Sequence, residues 1–246
     1  MLKGKVILVT GGAQRVGREI VLALAADGAE VVIHYNRSGE AATALAAEIH
    51  ERFKINALLV KADLTQAEDV KAIVPQILEK KKHLFAIVNN ASIYQDKLFE
   101  LITEEEWDTN LAVHVKAPFL LAQAAYHSMK KRGEGKIVNI ADWAGSMPYK
   151  DYLSYCVSKG ALIDLTRALA KEMASEVQVN CICPGPVLRP VHFSPEKFAE
   201  DTKGVLSQKI GSPHDVVHAV RYFLHASSFV TGSVLTVDGG RSLGTV

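Results

Sequence analysis

Tyr155 and Lys159 stand four residues apart in "YCVSK" (155–159), a spacing that puts a phenol and an ammonium on one face of a helix. The lysine charge favours the tyrosinate, and a tyrosine so placed can pass protons as a general acid or base. Asp142 lies thirteen residues before the tyrosine. An ionised carboxylate cannot donate a hydrogen bond, and it would repel the oxyanion that grows on a ketone during hydride attack. A C=N bond suits it better, because the nitrogen needs a proton and neighbouring N–H groups give the acid something to accept. A desolvated Asp142 that shares a proton with Tyr155 would serve the same delivery. Capping of the loop after a strand is the alternative use of this aspartate, and it leaves the substrate open.

Those side chains need a scaffold, and the sequence describes one. Apolar runs of strand length recur at 5–10, 30–35, 57–62, 84–90, 136–141, 177–182 and 233–238. Helical spacing appears between them at Ile20, Leu22, Leu24 and Ala25, over 41–49, and at Val70, Ile73, Val74 and Ile77. Longer helices are predicted at about 103–131, 152–175 and 213–226. Val- and Ile-rich strands alternating with helices imply an α/β Rossmann-type fold, a seven-stranded parallel sheet with helices on both faces. The length of 246 residues suits one such domain over 1–246. Pro184, Pro186, Pro190 and Pro195 interrupt the pattern, and "PEKFAEDTKGVL" offers a short helix. Residues 186–212 follow the carboxyl end of the sixth strand and suit a lid over a substrate cleft.

A formal net charge of +1 gives no field that would gather nucleic acid or an anionic membrane, so a small-molecule substrate is favoured. The apolar stretch behind "LKGK" is too short for a signal peptide or a membrane span, and a cytoplasmic location is expected. Cys156, Cys181 and Cys183 form no disulfide framework; the last two alternate onto one strand face, where buried free thiols are expected. No clustered histidines complete a ligand set, so no metal is expected.

The turn between the first strand and the first helix reads "TGGAQRVG" (10–17). Gly11 and Gly12 allow a tight turn and Gly17 a close backbone approach, so amide donors and the positive helix end can face a pyrophosphate. The spacing is not GxGxxG, and glycine serves mere packing at this turn in many α/β proteins. At the end of the second strand, "HYNRS" (34–38) lacks the carboxylate that would accept from a ribose 2'-hydroxyl, and offers His34, Asn36, Arg37 and Ser38. Arginine's planar fork suits a 2'-phosphate, which favours NADPH over NADH; a solvated, helix-capping Arg37 is the alternative.

The chain resembles the short-chain dehydrogenase/reductase family over essentially its whole length. The resemblance is carried in order by "TGGAQRVG" (10–17), "ADL" (62–64), "NNAS" (89–92), "YCVSK" (155–159), "PG" (184–185) and "VTGSVLTVDGG" (230–240). Within that family it is most similar to pteridine reductases and dihydromonapterin reductases, through the TGxxxRxG turn, "HYNRS" (34–38), "DGGRSL" (238–243) and an aspartate at 142 where the wider family has serine. The resemblance implies NADPH held by Gly11, Arg15, Val16 and Gly17 in the turn and by His34, Tyr35, Asn36, Arg37 and Ser38 after the second strand. It places Asp63 and Leu64 beside adenine, and adds Asn89, Asn90, Ala91, Tyr155, Lys159, Pro184 and Gly185. Asp142, Tyr155 and Lys159 are the implied catalytic residues. A pterin-like substrate would meet Arg15, Ser92, Tyr94, Asp142 and Tyr155, with Tyr94 stacked on its ring. His192 and Phe193 line the far end of the substrate at most.

One position departs from the family pattern. The usual active-site asparagine should fall at 114, and the chain has His114, which serves as a spacer that can also relay protons, or as a packed histidine. Tyr149 and Tyr152 lack a partner at the right spacing and read as rim or packing residues. The resemblance implies an NADPH-dependent reductase of dihydropteridines of the dihydrobiopterin, dihydromonapterin or dihydrofolate type, assembled as a homotetramer. A carbonyl reductase of 3-oxoacyl type and a non-catalytic NADPH-binding sensor or scaffold are the alternatives.

Overall fold

The computed structural model describes residues 2–244, and the ends of the expected domain, residue 1 and residues 245–246, lie outside it. Seven strands, β1 (Val6–Val9), β2 (Glu30–Tyr35), β3 (Leu58–Lys61), β4 (Ala86–Asn89), β5 (Gly135–Ile140), β6 (Val177–Pro184) and β7 (Val234–Val237), pair in parallel in the order β3-β2-β1-β4-β5-β6-β7. All seven fall where the apolar runs predict them. β1, β4, β5 and β6 are buried along their full length, which explains why they read as continuous rather than alternating apolar runs.

The side chains of β1 show how the two layers form. Ile7 and Val9 pack on one face with α1 (Arg15–Ala26), α2 (Gly39–Phe53) and the later α8 (Pro213–His225). Val6 and Leu8 pack on the other face with α3 (Ala67–Lys81), α5 (Ala117–Arg132) and α6 (Leu153–Met173). Successive strand residues point to opposite faces, so one strand feeds both cores. Among the described residues no helix is long and apolar enough to cross a membrane.

The single helix predicted over 103–131 is instead three pieces: α4 (Glu104–Leu111), a π-helical turn over Ala112–Lys116, and α5. Pro118 supplies the reason, because it has no N–H to give the carbonyl four residues back, that of His114, and its ring crowds that turn. The widened turn delivers His114 to the interior, where it is 1% exposed. Residues 186–212 carry the short helix α7 (Pro195–Asp201), capped by Ser194, whose side chain accepts from the Lys197 amide.

The strand order reverses between β1 and β4. In an open parallel sheet, that reversal at the carboxyl edge is where adjacent loops part and a ligand finds room.

Candidate active site

The motif residues leave the carboxyl ends of six strands: Gly11 to Gly17 after β1, Asn36 to Ser38 after β2, Asp63 and Leu64 after β3, Asn90 to Tyr94 after β4, Asp142 after β5, Gly185 after β6. Tyr155 and Lys159 come from α6, brought against the loop after β5 by two glycines in contact. A Cβ on Gly145 would lie 2.9 Å from the Gly160 amide nitrogen, so only glycine lets the loop touch the helix there.

That approach sets the central contact. Tyr155 Oη donates to Asp142 Oδ2 at 2.7 Å, while Asp142 Oδ1 accepts from the Ala144 amide at 2.8 Å. Loop capping and contact with the tyrosine thus occupy separate oxygens of one carboxyl group. Desolvation by burial raises the Asp142 carboxyl from the usual range, opposed by its hydrogen bonds and by the charge of Lys159. Lys159 Nζ donates to the Ile140 carbonyl at 2.9 Å and sits 5.6 Å from the centre of the Tyr155 ring. Burial pulls this lysine down to about 8.

Tyr155 differs from the sequence expectation. Burial, followed by the charge of Asp142, raises its phenol well above the ordinary tyrosine range, so the tyrosinate is disfavoured in this arrangement. The phenol is held as a neutral acid, ready to give a proton rather than to take one. A reduction needs that protonation state.

His114 lies beneath this pair with its ring edge-on to Tyr155, centroids 5.6 Å apart at 85°. Its Nε2 accepts from the Ile93 amide at 3.2 Å and meets Ser92 Oγ at 3.0 Å. The Nδ1 side meets Ser158 Oγ at 2.8 Å, and Ser158 in turn donates to the Tyr155 carbonyl at 2.7 Å. An acceptor role at Nε2 places the single proton of a neutral ring on Nδ1. Burial and the nearby Lys159 hold the ring well below its usual pKa. Asn110, one helical turn earlier, donates to the Glu106 carbonyl of its own helix.

Above the pair lies a group of rings. Tyr94 stacks on Tyr152 with centroids 4.5 Å apart and 14° between planes, and meets Tyr155 edge-on at 4.9 Å. Tyr149 Oη donates to Tyr94 Oη at 3.2 Å, and His192 lies 5.8 Å from the Tyr94 ring. Tyr94 is where the resemblance implies an aromatic ring, and Tyr149 and Tyr152, expected as rim or packing residues, pack against it. Their contacts depend on the turn after β5, which no spacing rule reports. Arg189 also escaped sequence reading: its carbonyl accepts from Arg15 Nη2 at 2.9 Å, tying the segment 186–212 to the glycine turn, and its guanidinium donates to the Phe193 carbonyl.

The glycine turn fits a dinucleotide. Gly11 has φ of 59°, and Gln14, the residue capping α1, makes no side-chain hydrogen bond to it, which leaves the positive helix end for an anion. Thr10 Oγ1 accepts from the amides of Asn90 and Ala91, and Asn90 Nδ2 donates to the carbonyls of Thr10 and Gly11. Asn89 turns inward and donates to Asn139 at 2.8 Å. Asp63 accepts from the amide and hydroxyl of Thr65, which hold its carboxyl low. Arg37 is exposed beside it, and Tyr35, Asn36 and Ser38 are partly buried.

His34 is a correction. It does not turn outward toward a 2'-phosphate; it is 2% exposed, Nδ1 accepting from the Gly11 amide at 3.1 Å and Nε2 meeting the Ala62 carbonyl at 3.2 Å. As part of a strand, its side chain takes the face opposite Tyr35, and that face is interior. It braces the glycine turn against the chain leaving β3. Cys181 and Cys183 are buried free thiols, as the alternation predicts.

A family described as short chain dehydrogenase matches residues 5–197. This chain belongs to the short-chain dehydrogenases. As a member of that family it is an oxidoreductase. It is 32% identical to a short-chain type dehydrogenase/reductase from Picea abies, covering 98% of this chain and 93% of that one. It is 33% identical to the 3-oxoacyl-[acyl-carrier-protein] reductase FabG of Aquifex aeolicus over 97% of this chain and 98% of that one. Among solved structures it resembles the FolM alternative dihydrofolate reductase 1 of Brucella suis in complex with NADP, with a TM-score of 0.92 and 35% identity, covering 99% of this chain and 97% of that one. In this short-chain dehydrogenase the glycine turn follows β1, and Tyr155 and Lys159 come from α6 beside the loop after β5.

Proposed function

We propose that the chain is an NADPH-dependent reductase of dihydropteridines, and the observation that carries this reading is the 2.7 Å hydrogen bond from Tyr155 to the carboxyl of Asp142. A bound NADPH would supply the hydride; the NADP held by the similar Brucella structures supports that choice. The uncapped start of α1 would bind the pyrophosphate, and Arg37, with no acid at the end of β2, would take the 2'-phosphate.

Reducing a ring C=N bond adds hydride at carbon and a proton at nitrogen. Tyr155, kept protonated by its neighbour, gives that proton. Asp142, whose raised pKa lets it hold a proton in turn, restores the phenol, and Lys159 offsets the carboxylate charge. Tyr94 would offer its ring to a flat heterocycle, and Arg15, tied to the Arg189 carbonyl of the segment 186–212, would meet the same substrate. The FolM likeness supports a pterin, dihydrofolate among them.

A second reading, reduction of a 3-oxoacyl thioester, is favoured by the named activity of the Aquifex and Synechocystis relatives. Asp142 opposes it in the ionised form that accepts from Tyr155, since a carboxylate cannot donate to a developing oxyanion. Turnover of dihydrobiopterin and of an acetoacetyl thioester, measured by NADPH oxidation, separates the two, and activity on the thioester alone would overturn the pterin reading. A cytoplasmic homotetramer belongs to the same proposal. Phe99, 74% exposed, and Leu101, 56% exposed, support burial of this segment in an assembly.

A further inference from the structure

We propose that His114 is a neutral positioning residue that fixes the Tyr94 ring relative to the Tyr155 hydroxyl, by bracing the segment 92–94 against α6. This rests on the reading of Tyr94 as a platform for the substrate ring. The imidazole hydrogen-bonds both segments: Ser92 and Ile93 through Nε2, and Ser158 of α6 through Nδ1. Ser158 carries the tie onward to the backbone of Tyr155 itself. The π-helical turn that puts the ring there follows from Pro118, and a 1% exposed ring has nowhere else to go.

The same bonds argue against a proton relay. A relay needs the ring to gain a proton on one nitrogen and release one from the other. Here Nε2 accepts from the Ile93 amide, a donor that cannot take a proton from it, and protonating this nitrogen would break that bond and leave the Ser92 hydroxyl as its neighbour. The charge of Lys159 further opposes an imidazolium. The groups against the ring are therefore two serine hydroxyls, one amide, the Tyr155 edge and the Lys159 charge, and none of them carries the negative charge that would stabilise an imidazolium.

The proposal predicts a split between binding and turnover. His114→Ala should raise KM for dihydrobiopterin about tenfold while kcat and NADPH affinity change less than about threefold, because what is lost is placement of the bound ring. His114→Gln, whose amide oxygen can still accept from Ile93, should restore KM to within about threefold of wild type. Neither variant should change the shape of the kcat–pH profile. Nitrogen-15 spectra of the wild-type imidazole should show the neutral Nδ1–H form at and below the pH where a free imidazole charges, and the Ile93 amide should lose exchange protection in His114→Ala. If that variant does not fold, Ser158→Ala loosens the brace from its other end and should raise KM in the same way. An ionisation missing from the kcat profile of both His114 variants, an imidazole found protonated at neutral pH, or an Ile93 amide equally protected without His114 would overturn the proposal. Absence of pterin turnover in the wild type would overturn the substrate reading alone; the imidazole spectra and the Ile93 amide would then decide the brace.

Discussion

Gly17 lies so close under the carbonyl of Gly11 that a Cβ built on it would sit 2.1 Å from that oxygen and 2.6 Å from Asn90 Nδ2. Both neighbours are fixed. The oxygen belongs to the backbone, and Asn90 is already donating to the carbonyls of Thr10 and Gly11. Gly17→Ala must therefore push the first turn of α1 away from the glycine turn. We expect a loss of about 3 kcal/mol of stability from the forced overpacking, seen as a lower Tm, together with at least about tenfold weaker NADPH binding in a fluorescence titration. Unchanged binding would show that the helix end is not the pyrophosphate site.

Asp142→Ser replaces an acceptor with a group that can donate. If the carboxyl group serves protonation of nitrogen, kcat/KM for dihydrobiopterin should fall about a hundredfold, a magnitude typical of losing one aligned electrostatic partner. Reduction of an acetoacetyl thioester should rise at the same time. Pterin turnover that survives the substitution would leave Asp142 as the cap of the Ala144 turn, its second role in the structure.

Lys159 titrates at about 8 in the folded chain against 10.5 when unperturbed. Its charge is lost as pH rises through 8, so kcat should fall on an alkaline limb near that value. The Asp142 carboxylate raises this pKa, and Asp142→Asn should move the limb to lower pH. The stability sign runs the opposite way: between 8 and 10.5 the unfolded chain binds the extra proton, so this lysine's contribution to stability improves as pH rises through the window. A pH–rate profile indifferent to Asp142→Asn would separate the two groups.

Much of this arrangement was legible in the residues because it depends on local pattern. Seven apolar runs became seven strands, and the motif residues became loops at their carboxyl ends, since strand length and loop position follow from hydropathy and glycine placement. What escaped was set by packing across the fold. Tyr152 and Tyr149 carry no spacing signal, yet Tyr152 stacks on Tyr94 and Tyr149 bonds to its hydroxyl. Arg189 meets Arg15 from 174 residues away. His34 illustrates the opposite error. Its place in a motif suggested a ligand, whereas it lies within β2, a strand covered on both faces, where neither face is open to a ligand. The interruption at 112–116 was readable after all, in the missing N–H of Pro118.

His34 also gives the acid-stability prediction. Burial holds its ring at about 4, against 6.5 for a free imidazole, despite the opposing pull of the Ala62 carbonyl and Asp63. Between those two values the unfolded chain binds a proton that the folded chain refuses. Stability is therefore fully present above pH 6.5, falls as pH drops through the window, and has lost up to roughly 3 kcal/mol from this ring by pH 4. His114, also held low, adds to the loss with the same sign. His34→Asn can still accept from the Gly11 amide but has no ring to charge. It should be about 1 kcal/mol less stable than wild type at pH 8, having lost the bond to Ala62, and should show a shallower decline of Tm between pH 6.5 and 4. Parallel Tm curves for the two proteins would mean that another group, and not the brace beneath the glycine turn, governs unfolding in acid.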